Sequence, residues 1–382
     1  MNTRPLVLHD DTLERYSFGP EHPMGPDRVR LAMKLSEHFD LLDRVDIAPA
    51  PAASEDLLLR IHTPEYLEAL KEGRPRPEFG IGDDDHPLAP NLHTIARHIV
   101  SGTVEATRAV WEGEAKRAVN LSGGLHHAGP SKQSGFCTFN DAAVAISWLL
   151  DHGATRIAYV DLDAHHGDGV EQAFWDDPRV LTISVHESGL YLFPGTGFAN
   201  DIGGPHAAGT AVNVAMPKST SDIDWLYAVH GIVPPLLQKF RPEIVITQHG
   251  ADAHRRDPLT DLDVSVDALA KAYRSMSRWA DRFCGGKWVA IGGGGYQRDS
   301  VARTWTHLVA AILGEKLDPE APMPGWWADE ARCETSDTIG DIGARNVLKE
   351  YHPERVLSDN PCGPIVATSR AIFPYWGLVP YH

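Results

Sequence analysis

The chain of 382 residues carries 52 Asp and Glu against 35 Lys and Arg, a formal charge of −17, which argues against direct binding to a nucleic-acid backbone and tolerates a basic partner better. A hydrophobic fraction of 42% and a mean hydropathy of −0.26 suit a globular protein with ample core material; no apolar run approaches the roughly 18 residues that span a bilayer, and MNTRPLVLHD lacks the charged and apolar regions of a signal peptide. Cys137, Cys284, Cys333 and Cys362 form no CxxC pair, so a reducing, cytoplasmic setting is expected. No linker divides the chain, and one domain over residues 1–382 is expected, with a core to about residue 318 and a C-terminal extension, 319–382, packed on it. Through about Pro90 the pattern reads as a strand plus helices at a sheet edge. An apolar run at 119–121 then precedes a helical stretch at 140–150, and one at 157–160 precedes 170–175. A further run lies at 180–185. Those at 244–247 and 288–291 precede helices at 264–283 and 298–313. This alternation predicts a single three-layer α/β/α domain on a mainly parallel sheet, in which ligands bind beyond the carboxyl ends of strands. From Pro319 the chain is rich in Pro and Trp, with Trp326, Trp327 and Trp376, and suits either wrapping of the core or an oligomer contact; the oligomeric state stays open.

The most informative stretch is residues 159–169, YVDLDAHHGDG, with three aspartates at the exit of a buried strand. The side-chain period of two sends Asp161, Asp163 and His165 the same way. Desolvating a carboxylate costs several kcal/mol unless it is paired or metal-bound, so a cation, histidine partners or both are expected. Asp163 and His165, with Asp252 from the distant QHGAD, would make a two-carboxylate, one-imidazole site with open positions. Zinc suits that set and Fe(II) accepts it. His126 and His127 follow a Gly-Gly turn, and the spare carboxylates Asp161 and Asp168 could each take the Nδ1 proton of one histidine. That would supply a base for an attacking water and an acid for a leaving amine. Tyr296, after four glycines, is a candidate oxyanion donor. A phosphate loop is excluded because Gln297-Arg298-Asp299 follows, and a dinucleotide turn because Gln172 stands where a glycine is required. Phe136 and Phe193 could face each other across a slot for an unbranched chain.

On these motifs, and on His22-Pro23-Met24, the chain resembles the zinc-dependent histone deacetylase family, and within it the bacterial acetoin-utilisation-type lysine deacetylases. The resemblance implies an arginase/deacetylase fold with an eight-stranded sheet and hydrolysis of ε-N-acetyl-lysine to lysine and acetate. It implies Zn2+ (or Fe2+) on Asp163, His165 and Asp252, His126 and His127 as catalytic histidines partnered by Asp161 and Asp168, and Tyr296 as the carbonyl-polarising group. Phe136 and Phe193 correspond to the walls of the acyl-lysine channel, Gly135 to its floor, Asp85 to a rim aspartate that grips substrate backbone, and Arg28 to an acetate-exit channel. A structural K+ would sit on Asp161, Asp163, the His165 carbonyl and Ser184. Leu125 and Leu192 replace larger residues of many relatives, so a wider channel is expected. Leu259 stands where polyamine deacetylases carry an acidic gate, which favours acetyl-lysine of proteins or peptides; acetyl-CoA synthetase is a candidate substrate, and acetylpolyamines and other small amides are the alternative. A two-metal ureohydrolase of the same fold would need an aspartate at His254, and a non-catalytic acyl-lysine binder would not need the intact tyrosine and histidines.

Overall fold

Eight short apolar runs become β1 (Leu6–Leu8), β2 (Asp46–Ala48), β3 (Arg117–Asn120), β4 (Ile157–Asp161), β5 (Val180–Glu187), β6 (Ala211–Met216), β7 (Ile244–Gln248) and β8 (Trp288–Ile291) in the computed structural model, which describes residues 4–357 and 361–382. They form one sheet in the order β2-β1-β3-β8-β7-β4-β5-β6, and every pair is parallel. The sheet is therefore wholly rather than mainly parallel. β2 and β6 lie outside the strands read from sequence, and so do two long helices at 92–111 and 222–240. The second of these contains Pro234 and Pro235, residues that ordinarily interrupt a helix; burial of most of its length holds it together.

Parallel strands need covering helices on both faces. Alternate side chains of β4 and β8 enter opposite cores: Ala158, Val160, Trp288 and Ala290 pack on one side, and Ile157, Tyr159, Val289 and Ile291 on the other. In chain order the helices that matter here are α1 (Asp27–His38), α2 (Leu92–Trp111), α3 (Asp141–Asp151), α4 (Asp168–Ala173), α5 (Asp222–Phe240), α6 (Val266–Cys284) and α7 (Arg298–Ile312). Side chains of α2 and α3 cover the second face, and those of α1, α5, α6 and α7 the first. The segment after Pro319 buries Trp327, Ile339, Tyr351, Ile365 and Phe373 in the first core, so it wraps the same sheet.

A buried polar spine ties that segment down. The Trp327 indole N–H donates to Asp299 Oδ1 at 2.7 Å, Asp299 Oδ2 accepts from Arg303 Nε at 2.9 Å, and Arg303 reaches Asp341 Oδ1 at 2.8 Å. Asp299 and Arg303 are 0% and 1% exposed, and removing one member of such a pair leaves a desolvated charge. Asp299→Ala is expected to lower the unfolding free energy by about 3 kcal/mol in urea titration; an unchanged midpoint would show that the spine contributes nothing.

Candidate active site

Because all strands run one way, their carboxyl ends share one edge, and register aligns Asn120, Ile291, Gln248, Asp161 and Ser184 as a row across it. The neighbours β3, β8, β7 and β4 carry the four motifs, so residues far apart in sequence leave the sheet side by side. Gly124 lies at φ +93°, where an L side chain is strained, and a Cβ there would overlap the backbone of Gly292 and Gly293. The turn after β3 can thus lie directly on the turn after β8. Asp141 clamps it, accepting from the backbone N–H of Gly124 at 3.0 Å and Leu125 at 2.7 Å and from the Thr103 hydroxyl at 2.5 Å. The side-chain amide of Asn140 donates to the carbonyls of His126 and Ala128 at 3.1 and 3.2 Å.

Asp163, His165 and Asp252 bring one ligand atom each within 4.8 Å of one another, all buried. His165 Nδ1 lies 3.1 Å from Asp163 Oδ1 and 3.0 Å from Asp252 Oδ2, while backbone N–H groups of Gly294 (2.7 Å) and Ala164 (2.8 Å) orient the other carboxylate oxygens. Two carboxylates at 0% exposure crowd a single imidazole. Burial and the adjacent Asp163 push Asp252 up to about 6, a repulsion that a divalent cation would remove. The converging oxygen and nitrogen donors therefore fit a metal ion.

His126 Nδ1 lies 2.7 Å from Asp161 Oδ2, and His127 Nδ1 lies 2.7 Å from Asp168 Oδ1; the two Nε2 atoms are 3.0 Å apart. Asp161 Oδ2 also accepts the Tyr159 hydroxyl at 2.7 Å. The environments drive the two rings apart. Burial opposes charge on His126, but Asp161, then Asp163, outweigh it and hold that ring up at about 9; burial and the charged neighbour His126 depress His127 to about 4. With each Nδ1 directed at its aspartate, the two Nε2 atoms are the faces left to meet each other and the cavity. Gln248 braces the floor, donating to the Gly124 carbonyl at 3.1 Å and to Asp163 Oδ2 at 3.2 Å.

His126, His127, Asp163 and His165 line a cavity of about 230 Å3. The Phe193 ring stands edge-on to His127 at 5.0 Å, and Phe136 stands edge-on to Tyr296 at 5.8 Å, so one ring flanks the histidine side and the other the tyrosine side. Phe136 is held in the left-handed region at φ +64°, at a cost of about 1 kcal/mol. Its carbonyl accepts from the Tyr16 hydroxyl at 2.8 Å and its N–H donates to His86 Nε2 at 3.1 Å. His86 must then carry its proton on Nδ1, facing Asp83 at 2.8 Å. Gly135 lines the cavity, where a Cβ would strike the rings of His127 and Phe193, and Asp163, His165, Gly293 and Gly294 line it too. Asp85, Leu192 and the 37%-exposed Leu259 border the opening.

Arg28 does not line the channel. It is buried, with its guanidinium 5.5 Å from the Tyr296 ring and 5.1 Å from the Trp305 ring, and it donates to the Gly293 carbonyl. It borders a smaller space of about 20 Å3 that shares Met24, Leu125 and Gly293 with the main cavity. Ser184 is also buried. His186 Nε2 faces the Gly197 carbonyl at 2.8 Å and must donate to it, so His186 Nδ1 accepts the Ser184 hydroxyl proton at 2.8 Å, leaving the Ser184 oxygen lone pairs free.

Asp257 was not singled out from sequence. It accepts from the Tyr296 N–H at 2.7 Å and from the Leu259 N–H at 3.0 Å, and burial, with Asp252 nearby, pushes it up to about 7. Only its position five residues past Asp252 hints at a role. Asp141, directly after Asn140 at a helix start, looks in sequence like a first-turn acid and nothing more. His254 uses both nitrogens within the protein, facing Asp341 Oδ2 at 3.0 Å and the Arg256 N–H at 3.2 Å; among the described residues the only metal-type cluster is Asp163, His165 and Asp252.

Paired acid-base groups next to a metal-type triad define a hydrolytic centre, and the eight-stranded parallel sheet is that of the arginase/deacetylase fold. A family model of the histone deacetylase domain matches residues 22–312, and the chain belongs to that family. It is similar to the acetoin utilization protein AcuC of Bacillus subtilis (strain 168), 37% identical over 351 residues that cover 85% of this chain and 90% of that protein. AcuC of Staphylococcus aureus (strain MRSA252) is 31% identical over 345 residues, 88% of each chain, and AcuC of Staphylococcus xylosus is 30% identical over 328 residues, 84% and 85%. No helix of the described residues is long and apolar enough to cross a membrane.

Proposed function

We propose that this deacetylase removes the acetyl group from the ε-amine of acetyl-lysine in proteins or peptides and releases acetate, as a cytoplasmic enzyme. The observation that carries the reading is a narrow cavity flanked by Phe136 and Phe193 that ends on Asp163, His165, His127 and Tyr296. An unbranched alkyl chain threaded between the rings sets an amide beside acid, base and metal-type donors at once.

The donor set suits Zn2+, with Fe2+ as the alternative, held by Asp163, His165 and Asp252. When bound there the ion supplies Lewis acidity to the amide carbonyl and acidity to a water. His127 Nε2 takes the proton of the attacking water, with Asp168 fixing its tautomer through Nδ1. His126, tied to Asp161, holds positive charge beside the developing oxyanion. The Tyr296 hydroxyl donates to the carbonyl oxygen as it gains charge, and Asp257 fixes the turn that carries it. The protonated histidine pair then returns a proton to the departing lysine amine. Asp85 at the opening is suited to accept backbone N–H groups of a peptide, and Arg28 to bind acetate in the adjoining space. Asp161, Asp163, the His165 carbonyl and Ser184 would hold K+. Acetyl-CoA synthetase is a candidate substrate.

Acetate release from an acetyl-lysine peptide by the purified, metal-loaded protein, compared with an acetylpolyamine, tests the reading; turnover of the polyamine alone would overturn it. Leu259 at the opening offers a smaller, directional test. Leu259→Glu places a carboxylate where a second ammonium would pass and is expected to raise the polyamine-to-peptide ratio of kcat/KM by about 5-fold, the worth of one exposed ion pair.

A further inference from the structure

A second cavity, of about 180 Å3, lies between α6, α7 and the segment after Leu317 and shares no lining residue with the active-site cavity. Lys271 and Arg274 from α6, Lys316, Arg345 and Lys349 all border it, in a chain of formal charge −17. Of these only Arg345 has a carboxylate partner, Glu320. Lys271, Arg274 and Lys316 make no ion pair among the described residues. Lys271 lies over the Tyr351 ring at 5.0 Å, and Lys349 donates to the Asn346 side chain at 3.2 Å. The single lining carboxylate, Asp267, accepts the Asp341 N–H at 2.7 Å. Against Asp267, Glu320 and Asp318 the five cations leave a local excess of two positive charges.

His307, 4% exposed, lines the same cavity, and the backbone of Ile339 lies within hydrogen-bonding reach of its ring. Burial, with Arg274 and Arg303 alongside, pushes its pKa down to about 3, and burial with Arg278 nearby lowers Arg274 as well. Like charges held together at a partly buried site repel one another until an anion joins them.

We propose that this cavity binds a small anion carrying two or more phosphate groups, held by Lys271, Arg274 and Lys316. The positive excess favours a multiply charged anion, and cations converging from different segments suit a compact, many-oxygen anion better than a planar carboxylate. The volume admits a small molecule and not a polymer. Asp341 links the site to the catalytic loop, since its N–H is held by Asp267 and its carboxylate faces His254, two residues past Asp252. Occupancy would brace the C-terminal segment against that loop.

Titration of the full-length protein with inorganic pyrophosphate at constant ionic strength, followed by calorimetry and thermal melting, tests the site. The expected result is one-to-one binding and a Tm that rises with the logarithm of ligand concentration. The Arg274→Gln/Lys316→Gln variant should bind about ten-fold more weakly or worse, and Lys316→Gln alone, on an exposed side chain, should show an intermediate loss. Without ligand the double variant should melt no lower than the parent, because it removes repelling charges. Absence of pyrophosphate binding would overturn the proposal, as would undiminished binding in the double variant, which is the outcome if pyrophosphate only chelates a metal at the active site. An equal Tm rise from sulfate at matched ionic strength would reduce the effect to screening and overturn it as well.

Discussion

Asp252→Ala is expected to lose the metal and, with it, turnover. Among the described residues Asp163, His165 and Asp252 are the side-chain donors of the cluster, so removing one leaves two ligands, and loss of even an outer-shell partner costs about 10- to 100-fold in metal affinity. The drop here should exceed about 100-fold. Metal analysis of the purified variant, together with acetate release from an acetyl-lysine peptide, reads both effects. Far-ultraviolet circular dichroism should be unchanged, because β7 and its neighbours are held by ladder pairing and two apolar cores rather than by this carboxylate. Stoichiometric metal with normal turnover would remove Asp252 from the site.

Tyr296→Phe should separate chemistry from metal binding. The tyrosine lines the cavity but lies outside the triad, and among the described residues no protein group hydrogen-bonds its hydroxyl, whereas its backbone N–H is held by Asp257. Deleting the hydroxyl should therefore leave the loop, the metal content and the stability intact. A single oxyanion donor is worth about 10²- to 10³-fold in kcat, and the loss should fall on kcat rather than KM, because the hydrogen bond strengthens as charge develops. A variant with full activity would end the oxyanion role; one that also lost metal would show that the hydroxyl supports the metal-type cluster as well.

The two substitutions probe parts of the site that differ in how they can be read. Asp163 and His165 are legible together from their spacing at a strand exit, but the strand ends at Asp161 and residues 163–165 bend, with the His165 N–H donating to Asp163 Oδ1 at 2.9 Å, so a local turn rather than an extended strand brings them together. Asp252 is legible only as a third donor with no local partner. Helix ends carried less information: the stretches read at 140–150, 264–283 and 298–313 are Asp141–Asp151, Val266–Cys284 and Arg298–Ile312, and such shifts leave the strand exits in place. The strand at 211–216 and the helix at 222–240 were not read, the latter because a Pro-Pro pair looks like a stop while its burial is tertiary. Asp141, Asp257 and the Asp83–His86 pair escaped for a related reason: each acts on backbone N–H groups rather than on substrate, and an aspartate that will accept two amide protons looks in sequence like any other acid.

The chain alone therefore determined which chemistry is possible. Apolar runs followed by Asp, His and Tyr demand buried charge at strand ends, and close spacing in sequence keeps Asp163 and His165 together in one turn. Tertiary structure decided who meets whom. His126 reaches Asp161 across 35 positions, His127 reaches Asp168 across 41 and His165 reaches Asp252 across 87, and all three depend on β3, β8, β7 and β4 lying adjacent and parallel. That order follows from how two helical layers cover the sheet, a property of the whole core that no stretch of neighbouring residues carries.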